Sequence, residues 1–310
     1  RDKPSATQYH RRTFARPTAR TKMTQNIACN DAHLINSVDG VTIAMHDFGG
    51  TGSPVLLSHA TGFHAHCWEP VAHALNSHHH VVGLDHRGYG DAETVDPTTM
   101  TWDQYGLDAL AAARSLYAEH NEPIIGIGHS MGGASLLMAA HSEPQLFKAL
   151  FVFEPIVFPP LDPDASERPG SPLPAGARKR RSRFPSFEAA IENFAAKPPM
   201  AAFNAVAREA YVRHGFKPTA DGDIELKCLP EHEARTYETG GTSGAWDSLP
   251  SITTSVWVLS GAIAPFQPST FAITVAERIP ASTYVRWDEV GHFGPLEKPE
   301  LISQYVTAVL

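Results

Sequence analysis

Ile124-Ile125-Gly126-Ile127-Gly128-His129-Ser130-Met131-Gly132-Gly133 is the stretch on which the fold turns. Its isoleucine-rich opening predicts a short buried strand over 124–127, and the small residues of 130–140 predict a helix directly behind it. Between them lies G-x-S-x-G in the setting that gives the pattern meaning, a strand before and a helix after. A serine there sits on a cramped turn, where side chains on the flanking glycines would collide with strand and helix backbone. Behind it opens a helix N-terminus, whose free N–H groups favour developing negative charge.

Outward from this point, short β-rich runs alternate with helical stretches, as in a mostly parallel sheet covered on both faces. Residues 33–47 predict two antiparallel strands turning at Asp39-Gly40. Strands follow at 54–58, 80–84, 149–153, 254–259 and 283–287. Helices are predicted over 68–75, over 101–120 with Leu107, Leu110, Ala111 and Leu116 on one face, and over 301–310. The rhythm breaks over 155–245, where ten of the 25 prolines fall between Pro155 and Pro199. Strand patterns are absent there and helical ones persist at 186–196 and 201–213. A mainly helical cap, inserted between core segments 23–154 and 246–310, is the expectation.

The 310 residues are 42% hydrophobic and 19% charged, enough apolar material for a sizeable core. A net charge of −8 argues against a nucleic-acid partner. Residues 1–22 carry seven basic residues against Asp2 alone, a balance of +6 that leaves −14 on the remainder. This stretch lacks a signal-peptide apolar region and reads as a disordered basic leader, with Met23 a candidate start. No run of 18 apolar residues exists, so no membrane span is expected. Cys29, Cys67 and Cys228 form neither a C-x-x-C pair nor an even set, which fits a reducing cytoplasm. Cys67 reads as a small buried hydrophobe rather than a nucleophile. His78-His79-His80 does not read as a metal site, because consecutive side chains diverge and the sequence around them offers no partner cluster.

From residue 33 to 310 the chain resembles the α/β-hydrolase superfamily, and three segments beside the serine turn carry the likeness. Ser58-His59-Ala60-Thr61-Gly62-Phe63 resembles the family's oxyanion loop, with Ala60 where glycine is usual, and implies that the Thr61 and Met131 N–H groups hold an oxyanion. Asp85-His86-Arg87-Gly88-Tyr89-Gly90 resembles a structural turn of the family. Val290-Gly291-His292-Phe293 resembles its catalytic histidine loop. The resemblance implies a Ser130 nucleophile, a His292 base and no cofactor.

The family's usual acid position, after the seventh strand, reads Ser260-Gly261-Ala262 and holds no carboxylate. A minority, including some haloalkane dehalogenases and zearalenone-type lactonases, takes the acid from the end of the sixth strand, where this chain has Glu154. Asp288 is the rival. Together these imply a Ser-His-Glu carboxylic-ester hydrolase working through an acyl-enzyme, with a lactonase or carbon–carbon hydrolase as alternatives using the same triad. A non-catalytic ligand receptor on the same scaffold is the alternative of another class. Phe63, His64, Trp68, Phe158 and Phe266 are candidates to line the pocket, or else ordinary core aromatics. The run Arg178-Lys179-Arg180-Arg181-Ser182-Arg183 is either the solvated face of a cap helix or a reader of a substrate carboxylate. The latter would favour a monoester such as a monoalkyl phthalate. Oligomeric state is not legible.

Overall fold

A computed structural model describes residues 32–159, 171–240 and 243–310; the leader and Cys29 lie outside these. The chain opens on β1 (His33–Asn36) and β2 (Thr42–Asp47), antiparallel, with Asp39 and Gly40 both at positive φ in the turn between them. β3 (Ser53–Ser58), β4 (His79–Asp85), β5 (Ile124–His129) and β6 (Phe147–Phe153) follow. The insertion then contributes β7 (Arg183–Phe184), β8 (Phe216–Pro218) and β9 (Ile224–Leu226), and β10 (Ser255–Ser260) and β11 (Ser282–Arg286) complete the core. The eight core strands run in the order β1-β2-β4-β3-β5-β6-β10-β11, and every pair from β4 to β11 is parallel.

Period-two alternation divides the core into two faces. Leu56, Leu150 and Val152 pack with helices Trp102–His120, Met131–Ser142 and Ala272–Arg278 on one side. Val55, Leu57, Ile127, Phe151 and Phe153 pack with helices Glu69–Leu75 and Pro299–Val309 on the other. β5 is buried along its whole length, as a central strand covered on both faces must be. Helix Trp102–His120 starts at a capping box between Thr101 and Gln104 and ends at Asn121 in the left-handed region. Its core side is Tyr105, Ala109, Leu110, Ala113 and Leu116, while Leu107 faces outward, contrary to the sequence reading.

Between β6 and β10 the described residues form helices Leu173–Lys179, Phe187–Ala195, Ala205–Gly215 and Pro230–Glu238, and in addition the antiparallel sheet β7-β9-β8. That sheet corrects the expectation that this region has no strands. Its strands are two or three residues long, too short for alternation to register in the sequence. Phe184, Phe203, Tyr211, Phe216 and Leu226 build a separate apolar cluster that also takes in Ala60, Phe63 and Leu296 from the core. No helix among the described residues is long and apolar enough to cross a membrane.

Candidate active site

Parallel strands bring their carboxyl ends to one edge of the sheet, and the residues singled out by the sequence arrive there from β5, β6 and the loop after β11. Ser130 follows β5 at φ 56° and ψ −114°, a conformation rare for a residue with a side chain. Its N–H donates to the Phe153 carbonyl at 2.9 Å, and its own carbonyl accepts from Ile156 N–H. The neighbouring glycines are fixed by close approach. A Cβ on Gly128 would come within 2.6 Å of the Gly132 carbonyl oxygen, and one on Gly132 would overlap the Ser58 backbone carbonyl. Gly132→Ala is therefore expected to destabilise the fold by about 1–3 kcal/mol, because only backbone is available to move. A thermal melt checks this, and an unchanged midpoint would mean that the turn is looser than described.

Glu154 stands one residue beyond β6, fully buried and at φ 43°. An uncompensated carboxylate would be costly in such a place, and both of its oxygens are taken. Oε2 accepts from His292 Nδ1 at 2.7 Å; Oε1 accepts from Gly261 N–H at 2.8 Å and from Ser260 Oγ at 3.3 Å. β6 and β10 are neighbours with Phe153 opposite Leu259, so Glu154 and Ser260 lie side by side. The strand end that lacks an acid of its own supplies the donors that hold the acid of the next strand. Sequence reasoning passed over Ser260 and Gly261 because neither is acidic. Asp288 is 58% exposed and paired with Arg286, away from this arrangement.

His292 is steadied from a second side. His129 is buried, and burial followed by the nearness of His292 pushes its imidazole well below its ordinary pKa. Its neutral ring donates Nε2–H to the His292 carbonyl at 2.8 Å. His129 immediately precedes Ser130, so the two key residues are tied through backbone. Among the described residues no side-chain hydrogen bond joins Ser130 to His292; such bonds commonly tighten only with substrate in place.

Met131 N–H belongs to the unsatisfied first turn of its helix. Thr61, buried in the turn closed by Phe63 N–H on the Ala60 carbonyl, lies on the loop leaving β3. Gly132 abuts Ser58 and His59 at the root of that loop. The two expected oxyanion donors thus sit on adjoining segments.

The candidate lining residues separate. Phe63 packs with Phe203, Tyr211 and Phe293, at centroid separations of 5.4 to 5.9 Å, and Phe293 lies 5.0 Å from the His292 ring. Phe203, Tyr211 and Phe293 were not singled out from the sequence, since only folding brings the insertion onto the histidine loop. His64 is buried, with Nε2 donating to the Tyr211 carbonyl. Phe158 packs on Phe271. Two expectations need correction: Trp68 is enclosed in the apolar core with Val71 and Leu75, and Phe266 stands wholly in solvent. Neither is placed to line a pocket.

The basic run is also resolved. Arg178 pairs with Glu231 and Glu238, Arg183 with Asp221 and Asp223, and Arg181 lies over the Phe184 ring. Arg180 turns inward to Glu233 and the Tyr211 hydroxyl. Burial would lower its pKa, but the Tyr211 oxygen and the Glu233 carboxylate outweigh that and raise it.

Ser58 and Cys67, each beside a histidine, are sealed. Ser58 Oγ lies 2.8 Å from His86 Nε2, and His86 Nδ1 lies 3.9 Å from Asp108, which is held in a fork by Arg87. All three of Ser58, His86 and Asp108 are fully buried, so no substrate reaches them. Cys67 is free and buried, and burial raises its thiol pKa far above the ordinary value.

Residues 55–304 match the model of the alpha/beta hydrolase family. The chain belongs to that family. Mouse monoglyceride lipase is 28% identical over 139 residues, 43% of this chain and 46% of the relative, so the match spans about half the relative's length. Among solved structures, E-2-(acetamidomethylene)succinate hydrolase superposes with a TM-score of 0.71 at 18% identity, covering 89% of this chain and 98% of the other. A thermophilic esterase from Thermogutta terrifontis gives 0.64 at 22% identity, with 90% and 97% covered. The relatives are hydrolases, and at these identities the structural likenesses speak to the fold.

Proposed function

We propose that this chain is a serine carboxylic-ester hydrolase in which Ser130 is the nucleophile, His292 the general base and Glu154 the residue that orients and charges the imidazole. The observation that carries this reading is the 2.7 Å bond from His292 Nδ1 to a fully buried Glu154, at the edge where Ser130 stands on its strained turn. With Glu154 Oε2 accepting Nδ1–H of His292, the His292 Nε2 lone pair is free for a proton. Ser130 Oγ attacks the ester carbonyl as its proton passes to Nε2. Negative charge collects on the carbonyl oxygen, received by the Thr61 and Met131 N–H groups. Collapse returns the proton to the departing alcohol and leaves an acyl-enzyme. Water, deprotonated by the same nitrogen, then releases the acid and restores Ser130.

The insertion acts as a cap over this edge, and the aromatic wall of Phe63, Phe203, Tyr211 and Phe293 suits an apolar group on a small to medium ester. The arginines of the basic run have acidic or aromatic partners in the protein, which favours a neutral ester over a monoester bearing its own carboxylate.

Labelling with a fluorophosphonate, followed by peptide mass mapping and a panel of p-nitrophenyl esters and lactones, tests the reading. An adduct on the Ser130 peptide and turnover of short neutral esters are expected. An adduct elsewhere would reject the nucleophile. Turnover confined to lactones would keep the triad and reject the ester substrate.

A further inference from the structure

His66 lies in the turn Ala65–Trp68, Glu69 opens helix Glu69–Leu75, and His214 sits in the last turn of the cap helix Ala205–Gly215. None of the three enters the chemistry above. Glu69 Oε1 is 2.9 Å from His66 Nδ1 and 3.4 Å from His214 Nε2, and the three potential ligand atoms lie within 4.8 Å of one another. In a tetrahedral zinc site with bonds of about 2.0–2.1 Å, neighbouring ligand atoms are about 3.3 Å apart. Two of the three edges already approach that spacing.

The hydrogen-bond chain behind His66 runs through His46 to the buried Asp85 carboxylate. Asp85 accepts from Ala65 N–H and Asp91 N–H, so it is an ionised acceptor, and its bond to His46 Nε2 at 2.7 Å needs a proton on that nitrogen. With His46 neutral, its Nδ1 is bare and must accept from His66 Nε2–H, 3.1 Å away. His66 Nδ1 is then bare too, and it faces the Glu69 carboxylate at 2.9 Å, a lone pair against an anion. A carboxylate-imidazole-imidazole-carboxylate row has three gaps to fill and two neutral rings with one proton each. Burial would lower the His46 pKa, but its bond to Asp85 and the nearby carboxylates outweigh that and raise it, so a proton competes with a metal ion for the third gap. The other histidine pair differs. His80 gives Nε2–H to Asp47 at 3.0 Å and receives His120 Nε2–H at 2.7 Å, so two rings satisfy two gaps. It also corrects the view that the 78–80 histidines have no partner cluster, since folding brings His120 to His80.

We propose that His66 Nδ1, Glu69 and His214 Nε2 bind a divalent transition-metal ion of the zinc class, joining the cap to the core. Second-sphere support is built in, because the remaining His66 nitrogen leads through His46 to the buried Asp85 carboxylate. Lys227 pairs with Asp91 beside this row. The His66 and His214 rings stack 3.7 Å apart at 8°, so their lone pairs run in parallel planes. Closing the site requires His214 to tilt, and at 30% exposure it has room to do so. Water from the solvent side completes the coordination.

The test uses the untagged full chain, stripped with chelator and titrated with Zn(II) against a chromophoric chelator, with Co(II) as the spectroscopic probe. One equivalent of zinc, a raised melting temperature and the intense visible bands of four-coordinate Co(II) are expected. His214→Ala and, independently, Glu69→Gln should each weaken zinc binding about 100-fold and abolish the rise in melting temperature. His80→Gln should leave both unchanged. Absence of stoichiometric binding, or binding that survives both His214→Ala and Glu69→Gln, would overturn the proposal and assign the third gap to a proton. Ester turnover is not the readout, so failure here leaves the hydrolase reading standing.

Discussion

Substituting Ser130 with alanine is expected to lower kcat for p-nitrophenyl esters by about 10⁵–10⁶, the scale on which removal of a triad nucleophile acts in serine hydrolases. The size follows from the enclosure of the neighbouring Ser58 and Cys67. Cys67 is enclosed and its thiol stays protonated, and Ser58, although hydrogen-bonded to His86, is sealed beneath the sheet edge. The residual rate should reflect binding and the Thr61 and Met131 N–H groups alone. Stability should change little, within about 1 kcal/mol, because the strained turn is held by backbone bonds from Ser130 N–H to Phe153 and from Ile156 N–H to the Ser130 carbonyl, which alanine keeps. Stopped-flow or steady-state assays beside a thermal melt read both quantities. Retained turnover in a folded protein would remove Ser130 from the mechanism and with it the acyl-enzyme.

Where the sequence was legible, local pattern and chemistry coincided. The run from Ile124 to Gly133 encodes strand, turn and helix within ten residues, and the glycines at 128 and 132 report a crowding that the folded chain displays against Gly132 and Ser58. Alternation located the core strands to within a residue or two, as with β4 at His79–Asp85 and β10 at Ser255–Ser260. Glu154 entered as a candidate through the family resemblance, and the apolar run 149–153 before it made an unpartnered acid there costly. Other features depend on contacts between distant segments. Ser260 and Gly261 matter only because β10 lies beside β6. Phe203 and Tyr211 meet Phe63 only after the insertion folds back across about 140 residues. Trp68 and Phe266 were equally plausible aromatics, and burial separates them in opposite directions, one enclosed and one in water. The stacking of His66 on His214 has no local signature at all.

Glu154→Gln should be severely damaging to turnover, though less so than loss of the serine, and the reason lies in its two sets of partners. Glutamate accepts on both sides, from His292 Nδ1 through Oε2 and from Gly261 N–H and Ser260 Oγ through Oε1. Glutamine has one accepting oxygen and one donating amide nitrogen. If its NH₂ faces His292, Nδ1 must become the acceptor, the ring proton moves to Nε2, and the base can no longer take the Ser130 proton. If the NH₂ turns instead toward Gly261, the tautomer survives but a buried backbone N–H meets another donor, a penalty of about 1–3 kcal/mol. In neither orientation does the side chain carry the negative charge that stabilises the imidazolium. The expected result is a fall in kcat of about 10⁴ with KM little changed, as for loss of the acid in other triads. The melting temperature should drop modestly. Asp288→Asn is the matched comparison: at 58% exposure and paired with Arg286, it should leave kcat within about twofold, as surface changes usually leave stability. The opposite pattern, a severe Asp288→Asn and a mild Glu154→Gln, would transfer the acid to the loop before His292 while leaving Ser130 and His292 in their roles.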